Sequence, residues 1–440
     1  MPDSAHRVRL EGIDLTAAFP TLRLFESFRM ALQPTKLLLG MLLLMLVYFG
    51  GVTLDFIWGE QVPEDGPMYV MNFEEPFESY RVFDQIVLRE LHAFASLINA
   101  ATHLDLGVGD LADGRGQGVL GAMWSMAVVT PGWVWTHHPG FFLIFSGYTL
   151  VVFMVLGGAI SRLAVMQACA DASDGLFETA SFTAPRAGWF IVAPLIPLGV
   201  AGVVWLIQAT IGVVLFNVPG LNILGALGFG LMILLGFVAA CLMIFSALGV
   251  GMLPSALAVE GTDAFDAVSR VCTFLIYRPI RYLLLIAISL VFGALMYLVV
   301  GTIMYFAFWF TTRAVGAWVG GFDQLVAVQE FGRMPYRVEA EGLSTMDKGT
   351  AWLLLVWSRL WFGLSLAFVI SFFFSAQTWI YLLLRRDVDG TVFEDCYIEA
   401  AGPAEEQAAA DVVADKIETA GDAGGDGSGR DDENRTDAAS

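Results

Sequence analysis

Six stretches of this chain are long and apolar enough to cross a membrane, and they fix its fold class. Hydrocarbon about 30 Å thick takes roughly 20 residues of helix at 1.5 Å each. Residues 37–58, 141–167, 188–216, 221–253, 282–311 and 351–384 all reach that length. Backbone polar groups in lipid must be satisfied within the segment, so such runs are helices. The sequence therefore predicts an all-α polytopic membrane protein with about six transmembrane helices, amphipathic interfacial helices and a disordered acidic C-terminal tail. Composition agrees, at 57% hydrophobic and 15% charged residues. Most of the net charge of -20 belongs to residues 59–117 and the tail at 396–440, where acids concentrate. That placement excludes a nucleic-acid surface. The expected partners are the lipid bilayer and membrane or cytosolic proteins, met through the outer loop or the acidic tail.

Basic flanks resist translocation and so orient the spans. Arg7, Arg9, Arg23, Arg29 and Lys36 lie in the N-terminal segment 1–36, which carries an amphipathic helix. Arg162 and Arg186, then Arg270, Arg278 and Arg281, then Arg385 and Arg386 mark alternate connections. Both termini are thus expected on the cytoplasmic side of the cell membrane. Arg313, Arg333, Arg337 and Lys348 in the connection before the last span run against this pattern. The outer loop, 59–140, contains apolar residues at helical spacing, Tyr80, Phe83, Val87, Leu91, Phe94 and Ile98, which predict an amphipathic helix over 77–103 with Arg89 off its apolar face. Residues 119–135 are apolar but interrupted at Thr130, Pro131 and Gly132, which predicts a re-entrant or interfacial element. The alternative, a seventh span, would invert the orientation of everything after it. The helical membrane domain then fills 141–395.

A short pattern recurs. Phe177-Glu178-Thr179-Ala180-Ser181 and Phe265-Asp266-Ala267-Val268-Ser269 each precede a proline, Pro185 or Pro279, that is expected to open a span, and Phe25-Glu26-Ser27 with Pro34 is a third, weaker copy. Each copy is expected to lie along the inner interface, with Phe265, Val268, Cys272 and Leu275 on one apolar face. Small residues at Gly157, Gly158 and Ser161, at Gly199 and Gly202, and at Gly236 and Ala240 are expected to form helix seams. Three segments, Leu253 to Tyr282, GGAISRLAVMQACA from Gly157 and YLLLRRDVDGT from Tyr381, resemble an uncharacterised family of multi-pass membrane proteins of planctomycete-type bacteria. The resemblance covers most of residues 20–395. It implies the topology and carries no activity.

Motifs with chemical content are few. Asp387-Val388-Asp389-Gly390-Thr391 resembles the aspartate-nucleophile loop of haloacid-dehalogenase-like phosphatases, but that chemistry needs a strand before the loop and an α/β domain after it. Here an apolar helix precedes it and about 50 residues follow. Cys169, Cys241, Cys272 and Cys396 show no paired spacing, so neither a metal site, a cofactor nor a disulfide framework is expected. Arg162 and Asp55 are expected near span ends, in reach of headgroups or water. The remaining functional candidates are His137 and His138 beside Trp133, the intramembrane amides Gln208 and Gln377, and Arg359. With no catalytic constellation, the expected function is that of a non-enzymatic scaffold or accessory subunit. A transporter or channel built on a two-span internal repeat is the alternative, with Gln208 and Gln377 as its site. A membrane-embedded enzyme using His137 or His138 is the third reading.

Overall fold

The computed structural model describes residues 20–58, 82–105, 107, 118–172, 174–218, 220–320, 322–326, 344–393 and 395–397. Among these there is no strand. The helices are α1 Glu26–Ala31, α2 Pro34–Trp58, α3 Val82–Thr102, α4 Val119–Trp124, α5 Thr130–His137, α6 Pro139–Ala170, α7 Leu176–Asn217, α8 Asn222–Gly249, α9 Leu253–Glu260, α10 Ala264–Tyr277, α11 Pro279–Gly316, α12 Phe322–Leu325 and α13 Thr345–Asp389. Six helical segments are long and apolar enough to cross a membrane: Pro34–Ile57, Pro139–Ala170, Leu176–Asn217, Asn222–Glu260, Pro279–Gly316 and Met346–Asp389. The residues expected in the acidic tail lie outside the described residues from 398 onward, as do 77–81 of the expected outer-loop helix.

Proline starts three of the spans, at Pro34, Pro139 and Pro279. The first-turn N–H groups of a helix have no intrahelical acceptor, so the missing donor costs nothing there. Pro185 behaves differently from expectation. It lies inside α7, which already begins at Leu176, so the interfacial helix and the span are one rod. Thr183 donates to the Thr179 carbonyl at 2.7 Å and Arg186 to the Phe182 carbonyl at 3.1 Å, side-chain bonds that brace the turns around the proline. At Pro279, by contrast, the chain turns at Arg278 (φ -135°, ψ 52°) and α10 stays a separate helix.

The spans alternate between two ends of the bundle. We call basal the end with Pro34, Ala170, Glu260, Pro279 and Asp389, and distal the other. The largest buried cluster is basal. The last part of α6, the first half of α7, the whole of α9, one face of α10, α1 and the last third of α13 bury one another in a single core that includes Phe182, Phe190, Tyr282, Phe274, Trp379 and Tyr381. Distally the spans separate: none of the 18 most apolar residues of the α8–α9 span is buried within the chain. Such exposed apolar helix surface is what lipid solvates.

The outer-loop segment forms a helical hairpin that dips into the bundle. Near its mouth Val82 and Phe83 of α3 pack with Trp133, Val134 and Phe141, and deeper in, Leu97, Ala100 and Ala101 pack with Val119, Ala122 and Ala294 of α11. The two arms are therefore antiparallel, and the chain reaches α6 at the end where it left α2. Thr130, Pro131 and Gly132 do not end the returning arm: a π-helical turn, Ser125–Val129, widens the helix ahead of Pro131 and the segment runs on to His137. An extra residue in the turn gives the proline ring the room it lacks in a regular α-helix.

Candidate functional site

Two buried polar clusters stand out, one at each end. The basal cluster centres on Glu260, the last residue of α9, whose side chain is 8% exposed. Gly261, in the left-handed region at φ 65°, ends the helix there and turns the chain toward α10. Tyr381 of α13 donates to Glu260 Oε1 at 2.9 Å. Arg385, one turn further and also 8% exposed, places Nε 2.9 Å from Oε1 and Nη2 3.5 Å from Oε2. Arg270 of α10 adds Nη1 at 3.6 Å from Oε2 and binds Asp266 through Nε at 3.0 Å. Arg385 also donates to the Asp395 carbonyl and lies 3.7 Å from its carboxylate. One carboxylate thus ties α9, α10, α13 and the segment after it. Removing one member of a pair this buried typically costs ~3–5 kcal/mol, because the other charge is left uncompensated.

Several residues read as flanking charges are tied into the fold. Glu260 holds Arg385 inside the core, while Arg270 joins the same carboxylate and Asp266 with its side chain still 36% exposed. Arg281 pairs with Asp387, linking the start of α11 to the end of α13. Arg162 is 3% exposed rather than at the interface; its guanidinium lies 4.1 Å over the Phe182 ring and donates to the Ala258 carbonyl at 3.1 Å. The apolar face of α10 is also rotated from the expected one. Ala264, Ala267, Val271, Phe274 and Leu275 are buried while Phe265 is 67% exposed, since the small alanines allow close approach to α7. Arg278 and Arg281 line an open groove of about 400 Å3 at the α10–α11 turn with Tyr277, Ile280 and Leu284.

Above Glu260 the hydroxyls of Ser161, Ser255 and Thr378 form a buried contact, with Ser255 Oγ 3.5 Å from Ser161 and 3.1 Å from Thr378. The two serines open matching segments, Ser161-Arg162-Leu163-Ala164-Val165 and Ser255-Ala256-Leu257-Ala258-Val259, each nearly devoid of exposure. That S-x-L-A-V match is the sequence signal that locates this cluster. Lys36 is another buried group that its N-terminal position concealed: fully buried, it donates to Gln167 Oε1 at 2.6 Å.

The distal cluster lies in the hairpin. Asp55, 6% exposed rather than in reach of water, accepts the Phe83 backbone N–H through both oxygens at 3.1 Å and so caps α3. Arg89 is 3% exposed and stacks 4.0 Å over Trp133. The sequence places Arg89 on a solvated face; the returning arm of the hairpin covers that face. Beside it, burial pushes the Glu90 carboxyl from 4.5 up to about 7, with the Thr130 hydroxyl offsetting part of the effect.

The five candidate residues are not assembled into one site. His137 stacks on Trp133 with centroids 5.4 Å apart, and its Nδ1 lies 2.9 Å from the Trp133 carbonyl. His138 meets the same indole edge-on at 6.0 Å. Gln208 bonds the Met232 carbonyl at 2.8 Å, joining α7 to α8. Gln377 is buried against Gly251, its Oε1 without a hydrogen bond. Arg359 is exposed on α13. No group of three or more metal-ligating side chains occurs among the described residues. Asp387-Val388-Asp389-Gly390-Thr391 is the C-terminus of α13, with Gly390 at φ 70°, and not a loop after a strand. Fold and clusters together define a polytopic helical membrane protein with a polar-laced basal core. No family model matches the chain, no curated protein matches it, and no solved structure matches it.

Proposed function

We propose that the chain is a non-enzymatic scaffold or accessory subunit of a bacterial inner membrane, with both termini cytoplasmic, and that it holds a partner membrane protein against the α7–α8 hairpin. The observation that carries this reading is a set of unused glycines. Where glycines serve the chain's own packing they receive aromatic rings, as Gly157 does from Phe374 and Gly158 from Phe190. Gly199, Gly202 and Gly212 of α7 and Gly228 and Gly230 of α8 face open space, with nothing within 4 Å of a Cβ. Small residues let helix backbones approach closely in lipid, where no hydrophobic drive separates protein from solvent. Gly199 and Gly202, expected as an internal seam, are thus left for another helix. The segments that carry the family resemblance line the basal core instead, which fits a common base bearing a docking arm.

Photo-crosslinking residues in place of Val203 and Leu227, both strongly exposed, should give one discrete protein adduct when native membranes are irradiated. Gly202→Leu should reduce its yield several-fold by blocking close approach. Adducts with lipid alone, or a protein adduct indifferent to Gly202→Leu, would overturn the proposal.

A further inference from the structure

The corner between α10 and α11 lies outside the docking arm and is held from three sides. The Arg278 backbone N–H donates to the Phe274 carbonyl at 3.0 Å, the buried Tyr282 donates its hydroxyl to the Leu248 carbonyl, and Arg281 pairs with Asp387. Over that corner lies the open groove of Tyr277, Arg278, Pro279, Ile280, Arg281 and Leu284. Its charges are unbalanced. Asp387 compensates Arg281, whereas Arg278 is exposed and makes no ion pair among the described residues, so two guanidiniums face one carboxylate. Its apolar part is open as well: Ile280 is 80% exposed and Leu284, one turn along the same face of α11, 52%. No charged residue follows Arg281 until Arg313, so the groove stands where the polar end of a span gives way to its apolar length.

We propose that this groove seats one anionic phospholipid of the phosphatidylglycerol type, with its phosphate on Arg278 and its acyl chains along Ile280 and Leu284. A guanidinium binds a phosphate diester through charge-assisted hydrogen bonds, and the uncompensated charge of Arg278 matches the single negative charge of such a headgroup. A zwitterionic headgroup would bring a further cation toward Arg278. A soluble acidic peptide or a free phosphate would leave Ile280 and Leu284 bare. An anionic lipid covers both parts of the groove at the depth where headgroup and hydrocarbon meet. The assignment stands apart from the partner proposed for the α7–α8 hairpin, because the two surfaces share no residue.

The test uses the full-length protein in a neutral detergent, stripped of lipid and titrated with phosphatidylglycerol or with phosphatidylcholine of the same acyl chains, bound lipid being counted by native mass spectrometry. One phosphatidylglycerol should bind ahead of any phosphatidylcholine. Arg278→Gln removes an exposed charge, leaves the bonds of the corner in place, and should weaken phosphatidylglycerol binding about fivefold. Arg313→Gln, the same change at the other end of α11 and away from the groove, should leave that binding unchanged. Glycerol phosphate, the headgroup without its chains, should not displace the lipid at equal concentration. Equal binding of the two phospholipids, or equal effects of the two substitutions, would overturn the proposal. Displacement by glycerol phosphate would also overturn it, since the site would then take a soluble phosphate.

Discussion

Two glutamates on this chain are both largely buried and differ in what surrounds them. Glu260 is met by a phenol and two guanidiniums, so its charge is compensated on the spot. Glu90 lies in the hairpin beside the Thr130 hydroxyl, and burial lifts its carboxyl to about 7. A carboxyl raised in the fold binds its proton more tightly there than in the unfolded chain. Its contribution to stability is complete below about 4.5 and is lost as pH rises through about 7. The loss is up to about 3 kcal/mol, at roughly 1.4 kcal/mol for each pH unit separating the folded and unfolded values. The unfolding midpoint of the native protein should therefore fall between pH 5 and 7.5 more steeply than that of Glu90→Gln, which keeps the shape and cannot ionise. Parallel pH profiles for the two proteins would refute the assignment.

At the level of helices, glycine decides which faces meet. A Cβ on Gly157 would stand 2.2 Å from the Phe374 ring, and one on Gly158 2.5 Å from Phe190. Neither ring has room to retreat, since Phe374 and Phe190 are themselves buried. Gly157→Ala and Gly158→Ala should each destabilise the purified protein by ~1–3 kcal/mol, the usual cost of overpacking. Gly199→Ala and Gly202→Ala should stay within about 0.5 kcal/mol, as open-surface changes do. Thermal unfolding in one detergent compares all four. Equal losses at the two pairs would mean that α7 has a neighbour inside the chain at Gly199 and Gly202.

For the whole molecule, the two antiparallel arms of the hairpin return the chain to the end at which it leaves α2, so α2 and α6 run in opposite directions between the same two ends. Leu24 and the last residues of α13 share the basal core. Arg23 over the Phe393 ring at 4.5 Å and the Trp379 indole N–H on Met30 Sδ at 3.0 Å bring the two terminal segments together there. Tags before Pro20 and after Tyr397 should be labelled from the same side of sealed vesicles, and a cysteine replacing Asn217 from the other. Labelling of the two tags from opposite sides would exclude an even number of crossings.

Length and apolarity along the chain are enough for the class and the six long apolar helices, and the proline starts at Pro34 and Pro279 follow from backbone hydrogen bonding, whereas Pro185 falls inside α7 and the start at Pro139 is not foreseen by the sequence pattern. The sequence marks 119–135 as a short apolar element but not its partner: the packing of α4 and α5 against α3 is visible in the tertiary structure alone, and it buries Arg89. The same holds for Glu260 and Lys36. Each looks like an ordinary flank residue when read along the chain. Their neighbours come from helices far away in sequence, and burial and charge pairing depend on those neighbours.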